Sequence, residues 1–198
     1  MRRLILASVV EGHGEESAFR VLLQRLGPHI DPNIALDVKK PWRLPKTKMK
    51  KPGELRQASR SALELAGEDA RLIVLLDADD DCPAELGPEL LNREFDWVRP
   101  ASAAVVIAKS EYESWFVACA DSLSRKGKMR TVPGDSVPVN PESIRDAKKW
   151  IGNCMHGGNY SPTRDQASLS AALDIELARS RSASFDKLCR EVQRLLTS

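Results

Sequence analysis

Residues 72–81 read LIVLLDADDD, a run of branched apolar side chains that stops at a cluster of aspartates. Residues 4–16, LILASVVEGHGEE, follow the same order, with an apolar run that stops at glutamates and glycines. Short apolar runs that end at turn or helix-start residues are typical of buried strands. Strands buried on both faces belong to parallel sheets covered by helices. The two stretches therefore predict two strands of a mainly parallel sheet.

The acidic residues follow the strands at the place where such a sheet gathers its functional groups, beyond the carboxyl ends. If the two strands are neighbours, Glu11, Asp77 and Asp79 converge on one spot. Carboxylates brought together either take up protons or bind a cation, and oxygen-only ligands suit Mg²⁺, Mn²⁺ or Ca²⁺. The pattern indicates a divalent-metal site, although acidic residues after a strand also serve as turn formers and helix caps.

The composition is ordinary for a globular protein, with 198 residues, 42% hydrophobic and 29% charged. This length allows one domain with a generous core, with or without an appended helical piece. No apolar stretch approaches the roughly 20 residues needed to cross a bilayer. The four cysteines form no C-x-x-C pair, and the basic start lacks the cleavage site of a secretory signal. We therefore expect a cytoplasmic protein without membrane association, zinc site or disulfide framework.

Strand and helix patterns alternate over the first 120 residues. Strands are expected at 3–10, 34–38, 71–76 and 103–108, and helices at 15–26, 53–66, 83–95 and 110–120. This alternation predicts an α/β fold, a Rossmann-like, mainly parallel sheet flanked by helices. Gly27-Pro28 is expected to end the first helix, and Ser110 with Glu113 resembles a capping box that opens the fourth.

The remainder of the chain has no further strand pattern. Residues 121–142 contain several prolines and basic residues and are expected to form a long loop. Helices are expected at about 142–151, 164–179 and 184–196. We therefore predict an α/β domain at residues 1–120 and a loop and helical extension at residues 121–198 that packs on it.

A basic segment interrupts the domain. The net charge of the chain is only +2, yet residues 39–51 contain seven basic residues and no acidic one. Interspersed prolines predict an exposed loop. Cations that flank an exposed aromatic ring suit phosphate contacts with base stacking, although a solvated loop without a ligand has the same composition. The candidate nucleic-acid-binding residues are Lys39, Lys40, Trp42, Arg43, Lys46, Lys48, Lys50 and Lys51.

An apolar strand that ends in Glu11-Gly12, followed later by one that ends in Asp77-x-Asp79, resembles the two signature motifs of Toprim domains. The spacing of acidic residues in 11–16 is closest to the OLD-type nuclease branch and to small bacterial Toprim-like proteins encoded near ABC-type or AAA-type ATPases. The resemblance covers roughly residues 3–120. Weaker matches are Glu113-Ser114-Trp115, Tyr160, Asp165-Gln166 and Ser184-Phe185.

The Toprim resemblance implies a Toprim-like fold and a nuclease that hydrolyses phosphodiester bonds of DNA or RNA. In that family the first glutamate and the aspartate pair bind Mg²⁺ and serve phosphoryl transfer, which implies Glu11, Asp77 and Asp79 as catalytic metal ligands, with Mg²⁺ or Mn²⁺ as cofactor. It also implies an ATPase partner in phage or mobile-element defence. The chain is too short for a strand-passing topoisomerase and lacks the zinc-binding part of a primase.

Three further residues have candidate roles at this site. Glu15 lies one helical turn after Glu11 and either faces the same ion or stabilises the helix N-terminus. Glu113 either ligates a second ion or is only the capping-box partner of Ser110. Lys109 ends the predicted strand 103–108 and either contacts the scissile phosphate or is solvated.

Other classes of site explain less of the sequence. A calcium-binding EF-hand loop is excluded because Cys82 stands where glycine is needed and Pro88 where the bidentate glutamate belongs. A Mg²⁺-dependent phosphatase of the haloacid dehalogenase type expects threonine or valine at Asp81 and leaves Glu11-Gly12 unexplained. A non-catalytic module that binds metal or nucleic acid and docks an ATPase remains an alternative to the nuclease.

Overall fold

A single parallel sheet forms the centre of the protein, whose computed structural model describes residues 2–67, 69–98 and 102–197. Its strands are β1 (Arg2–Val10), β2 (Ile34–Val38), β3 (Trp42–Arg43), β4 (Arg71–Asp77) and β5 (Ala103–Ala108). The order is β2-β1-β4-β5, and the short β3 pairs with the end of β1 beyond β2. Every pairing among these strands is parallel. The prediction of an α/β, Rossmann-like fold is confirmed.

Helices cover both faces of the sheet. They are α1 (His13–Ile30), α2 (Lys46–Met49), α3 (Glu54–Ala66), α4 (Pro83–Glu94), α5 (Ser114–Ala118), α6 (Ala120–Arg125), α7 (Ala147–Cys154), α8 (Ala167–Ala172), α9 (Ile175–Arg181) and α10 (Ala183–Thr197). Short 3₁₀ turns occupy Gly134–Ser136 and Pro141–Ser143, and a π-helical turn occupies Pro162–Gln166.

Strand β4 contributes to two separate hydrophobic cores because alternate side chains of a strand point to opposite faces. Leu72, Val74 and Leu76 pack in the core covered by α3 and α4, whereas Ile73 and Leu75 pack in the core covered by α1 and the C-terminal helices. The continuous apolar run that predicted this strand is therefore a consequence of its burial on both sides.

The prediction that Gly27-Pro28 ends the first helix is wrong, because α1 continues to Ile30. Pro28 lies in the last turn, where the helix has few further hydrogen bonds to lose, and the N–H of Asp31 still donates to the Gly27 carbonyl. Burial of Leu23 and Leu26 in the core outweighs the local cost of the proline.

The prediction of an exposed loop at the basic segment is also wrong. Residues 39–51 form β3 and α2 instead, and Pro41, Leu44 and Met49 are buried there. Leu44 and Met49 join the core beneath α3. These two apolar side chains fix the segment against the sheet, while the lysines at positions 40, 48, 50 and 51 are exposed.

The expected long loop at 121–142 begins with helix α6, and Met129, Val132 and Val137 anchor the remainder of the segment in the core. The single helix expected at 164–179 is divided into α8 and α9. Asp174 accounts for the break, since its carboxylate accepts the N–H of Leu177 and caps the start of α9.

The C-terminal helices pack on the same face of the sheet as α1. Helix α10 contacts β5 and α1, and α8 packs against α1. Phe185, Leu188 and Val192 of α10 share one core with Leu6 of β1 and Val106 of β5. The domain boundary at residue 120 stays a prediction, while this core extends across it. Within the described residues, no helix has the length and apolar character needed to span a membrane.

The start of α1 packs tightly against the π-helical turn, and Gly14 makes this approach possible. A Cβ atom at Gly14 would lie 2.6 Å from Pro162 Cβ and 2.8 Å from the Pro162 carbonyl carbon. We expect Gly14→Ala to lower the free energy of unfolding by roughly 2–3 kcal/mol, since backbone must shift. Urea unfolding measures this change.

The matched control is Gly87→Ala in α4, where the new Cβ would lie 3.5 Å from Ile107 Cγ1, an ordinary contact. Alanine suits a helix better than glycine, so we expect this variant to gain about 0.5–1 kcal/mol or to remain unchanged. Equal stability of the two variants would contradict the tight packing at Gly14.

Candidate functional site

Three neighbouring strands of the sheet end at the same edge, and each leads to an acidic residue. Glu11 follows β1, Asp77 ends β4, and Glu113 lies five residues after β5. These side chains line a cavity of about 300 Å³. The residues around it are Glu11, Gly12, His13, Gly14, Glu15, Asp77, Glu113, Lys148, Pro162, Thr163 and Gln166.

Asp77 connects the ends of the three strands. Its Oδ1 accepts the N–H of Tyr112 at 2.8 Å, and its own N–H donates to Glu11 Oε2 at 3.4 Å. Burial raises the pKa of the Asp77 carboxyl well above its usual range, and the nearby Glu15 and Glu113 carboxylates raise it further. Glu11 is half-buried, and desolvation likewise raises its pKa against the opposing hydrogen bond from Asp77.

Two residues in the left-handed region form the turns at this edge. Asp79 has a φ of 50° and Ser110 a φ of 62°. The N–H of Asp79 donates to the Ser110 carbonyl at 2.9 Å, which ties the two turns together. The left-handed conformation costs a non-glycine residue about 1–2 kcal/mol. The surrounding structure compensates this strain, and the turn at Ser110 leads Tyr112 back to Asp77.

Glu113 is fully buried at the wall of the cavity. Its Oε1 accepts hydrogen bonds from the Tyr160 hydroxyl at 2.8 Å and from Gln166 Nε2 at 3.4 Å, whereas its Oε2 has no hydrogen-bond partner. Burial raises the pKa of this carboxyl. The predicted capping box is wrong, since the left-handed Ser110 donates its hydroxyl to the Glu142 carbonyl and Glu113 makes no side-chain cap.

Glu15 lies in the first turn of α1 and is buried. Its Oε2 accepts the N–H groups of Glu11 at 3.0 Å and Gly12 at 3.2 Å. This geometry matches the helix-stabilising role, while a metal-binding role for Glu15 stays a prediction. Burial raises the pKa of Glu15 to about 7, against the two backbone hydrogen bonds that favour its charged form.

Lys148 of α7 supplies the cation of this cavity. Its Nζ lies 2.7 Å from Glu111 Oε1, 3.7 Å from Glu113 Oε2 and 3.9 Å from Asp77 Oδ2. Desolvation disfavours its charged form, but Glu113, Glu111 and Asp77 outweigh this effect and raise the pKa of Lys148. The sequence did not indicate this residue, because two adjacent lysines in a predicted helix are typical of a solvent-exposed face.

Asp79 and Lys109 lie outside this cavity. The Asp79 carboxylate is 59% exposed and pairs with Lys46 Nζ at 2.7 Å. Both residues line an adjoining pocket of about 560 Å³, together with Arg145. Lys46 also donates to the Ala78 carbonyl, so the basic segment holds Asp79 on the outer side of the turn. The metal role of Asp79 and the phosphate role of Lys109 stay predictions.

The basic segment is partly neutralised by neighbouring acids. Lys39 pairs with Asp37, Lys46 with Asp79 and Asp81, and Lys50 with Asp81. Lys40, Arg43, Lys48 and Lys51 form no ion pair with any described residue. Trp42 is 38% exposed. Four cations and one indole ring of this segment therefore remain available to a ligand, and nucleic-acid binding stays a prediction.

The short motifs of the C-terminal part meet the segment that follows β5. Tyr160 and Gln166 bond Glu113, as described above. Trp115 donates its Nε1–H to Ser184 Oγ at 2.8 Å, and its ring packs edge-on against Phe185 with centroids 5.3 Å apart. Motif residues up to 70 positions apart in the sequence thus support one wall of the cavity.

The donor atoms in the cavity suit a hard divalent cation better than zinc or copper, since they are carboxylate oxygens. The Glu113 Oε2 atom is buried and has no hydrogen-bond partner, so this oxygen could coordinate a cation. Within the described residues, no group of three or more His, Cys, Asp or Glu side chains is already arranged as a metal site. A metal bound by Asp77 and Glu113 would share these carboxylates with Lys148.

The raised pKa of Glu15 predicts a pH dependence of stability in metal-free protein. The folded state retains a proton that the unfolded state releases above about pH 4.5. The contribution of Glu15 is therefore complete at low pH and is lost as the pH rises to about 7. We expect Glu15→Gln, which preserves the helix cap, to raise the free energy of unfolding at pH 7.5 by roughly 1–3 kcal/mol.

Urea unfolding at pH 4 and pH 7.5 measures this difference. The variant should show its advantage mainly at the higher pH. Glu64→Gln, which removes an exposed carboxylate from α3, is the control and should leave the stability nearly unchanged at both pH values. An advantage of Glu15→Gln that is the same at both pH values would contradict the titration of Glu15 in this range.

Comparison with known proteins identifies the family of this chain. A family model described as a domain of unknown function, DUF4276, matches residues 10–193. The match includes all residues that line the cavity, strands β2 to β5 and helices α1 to α9, together with the last residue of β1 and α10 as far as Gln193. No curated protein and no solved structure matches the chain. The chain belongs to the DUF4276 family.

Proposed function

We propose that the protein is a Mg²⁺- or Mn²⁺-dependent nuclease of the Toprim type that hydrolyses phosphodiester bonds of DNA or RNA. The observation that supports this proposal is the convergence of Glu11, Asp77 and Glu113 at the ends of three adjacent parallel strands, inside one cavity. Each of these carboxyl groups has a pKa above its ordinary value because of desolvation.

A cation would relieve the electrostatic cost of this arrangement. Two carboxylates about 4 Å apart repel each other by roughly 4 kcal/mol at an effective dielectric constant near 20. Glu11, Asp77 and Glu113 are the residues that would hold the ion. A divalent ion in such a site activates water and stabilises charge on a phosphoryl group. Tyr112, Tyr160 and Gln166 orient the carboxylates through the hydrogen bonds described above.

The surroundings of the cavity favour a nucleic acid over a small phosphate ester. Lys46 binds Asp79 directly after β4, which places the basic segment beside the cavity. Lys48 and Lys51 are exposed on this segment and available to phosphates, and the exposed ring of Trp42 is available to a base. Lys109 in the adjoining pocket remains our candidate for contact with the scissile phosphate.

The Toprim resemblance also supports a partner. We propose that the nuclease acts with an ABC-type or AAA-type ATPase in phage or mobile-element defence. Cytoplasmic location is part of this proposal, and it is supported by the four cysteines, all of which are free thiols.

One observation favours a second candidate function, a non-catalytic module that binds nucleic acid or docks the ATPase. Lys148 already lies among the carboxylates and partly neutralises them. A site that uses its own lysine as the cation needs no metal for stability. The two candidates differ in whether the protein cleaves nucleic acid when a divalent metal is supplied.

Cleavage of plasmid, single-stranded DNA and RNA in the presence of Mg²⁺ or Mn²⁺ tests the nuclease. We expect Asp77→Asn to lower the rate by roughly 100-fold or more, since a loss of even an outer-shell partner of a ligand costs about 10- to 100-fold. Asparagine can still accept the N–H of Tyr112, so the fold is retained. Asp80→Asn removes an exposed carboxylate that pairs, among the described residues, with Arg145 alone and should leave the rate unchanged.

Two outcomes would contradict the nuclease. One is cleavage that survives in Asp77→Asn, and the other is no cleavage by the unmodified protein, either alone or with the proposed ATPase partner. Hydrolysis of p-nitrophenyl phosphate without cleavage of nucleic acid would indicate the phosphatase instead.

The basic segment makes a separate prediction about binding. The logarithm of affinity falls with the logarithm of salt by about 0.9 for each neutralised phosphate of B-DNA. We expect the double variant Lys48→Gln and Lys51→Gln to lower this slope by roughly 1–2. Arg2→Gln, at the opposite end of β1, is the control. Fluorescence anisotropy over a salt series measures the slope, and an unchanged slope would show that the segment does not contact phosphates.

A further inference from the structure

Lys148 binds its carboxylate neighbours unequally. Only Glu111 Oε1, at 2.7 Å from Nζ, is within hydrogen-bond distance. Asp77 Oδ2 at 3.9 Å and Glu113 Oε2 at 3.7 Å are attracted by charge alone. The ammonium therefore offsets part of the negative charge in the cavity but donates no hydrogen bond to Asp77 or Glu113. The buried Glu113 Oε2 still lacks a hydrogen-bond partner.

Lys148 is anchored through Glu111 and not through Asp77 or Glu113. Glu111 accepts both the side-chain Nζ, through Oε1, and the backbone N–H of Lys148, through Oε2 at 3.2 Å. The side chain is 42% exposed, and a lysine stem has several freely rotating bonds. The ammonium can thus turn away from Asp77 and Glu113 while it remains paired with Glu111, and α7 need not unfold.

We propose that Lys148 is a built-in counter-cation that competes with a divalent metal for the carboxylates of Asp77 and Glu113, and so sets the metal affinity of the site. This inference rests on the metal site of the proposed function. In the metal-free protein the lysine holds the carboxylates together. Asp77 and Glu113 would hold a divalent ion, and Lys148 would then turn away from these two carboxylates while it keeps its hydrogen bond to Glu111.

Removal of a competing cation and removal of a supporting residue change the metal affinity in opposite directions. A group that merely orients a ligand strengthens metal binding, so its removal weakens the affinity. A competing cation lowers the apparent affinity and repels the incoming ion, so its removal strengthens the affinity. The stability of the metal-free protein should change in the opposite direction, because the carboxylates then lose their only nearby cation among the described residues.

Titration of the full chain with Mn²⁺, followed by calorimetry or by the electron paramagnetic resonance signal of free Mn²⁺, tests the competition. We expect Lys148→Gln to lower the Kd for Mn²⁺ by roughly tenfold or more. Lys149→Gln removes the same charge from the exposed neighbouring position and should leave the Kd within about twofold. Lys148→Arg retains the charge and should stay near the unmodified protein.

A second measurement guards against a folding defect in Lys148→Gln. The thermal midpoint of this variant should lie below that of the unmodified protein in metal-free buffer. Saturating Mn²⁺ should raise it by more than it raises the midpoint of the unmodified protein, since binding to the folded state stabilises it. An equal increase in both proteins would overturn the competition.

The binding results distinguish a failure of the lysine competition from a failure of the metal site itself. If the unmodified protein binds Mn²⁺ and Lys148→Gln binds it equally or more weakly, the competition is wrong and the metal site stands. If none of the proteins binds Mn²⁺ at millimolar concentration, the metal site fails and both proposals fall. Tighter binding by Lys148→Gln alone, with Lys149→Gln unchanged, supports the competition.

Discussion

The arrangement of the site depends on the burial of one carboxylate, that of Asp77 at the end of β4. The Tyr112 N–H binds it from the segment after β5, and its own backbone N–H binds Glu11 after β1. Three strand ends are therefore joined through a single residue. Burial makes the charged form of Asp77 unfavourable, so the fold concentrates electrostatic cost at this point. The charge of Lys148 and the hydrogen bonds to Glu113 offset part of that cost.

Sequence reasoning was successful where a residue's environment is fixed by its near neighbours. The unbroken apolar run before Asp77 indicated a strand buried on both faces, and β4 contributes to both cores as this implies. The position of Glu11 after β1 and of Asp77 at the end of β4 followed from the same pattern. The sheet edge was thus predictable, since strand periodicity and strand ends are local properties of the chain.

The remaining features of the site depend on contacts between distant parts of the chain. Lys148 meets Glu111 and Asp77 only through the packing of α7, and no local pattern distinguishes it from Lys149. Asp79 was expected in the cavity, but Lys46 binds it from a segment 33 positions earlier in the chain. That segment was expected to be an exposed loop because its prolines and charges outnumber the two apolar residues, Leu44 and Met49, that fix it to the core.

The dependence of Glu113 on the C-terminal helices has a consequence for the order in which the site is completed during synthesis. The hydroxyl of Tyr160 and the amide of Gln166 bond Glu113, and Ser184 bonds the neighbouring Trp115. A nascent chain that has emerged only as far as α6 contains every acidic residue of the cavity but none of these partners. The ribosome must therefore release the chain as far as α10 before the cavity wall is complete, and fragments that end before α7 would lack all of these hydrogen bonds.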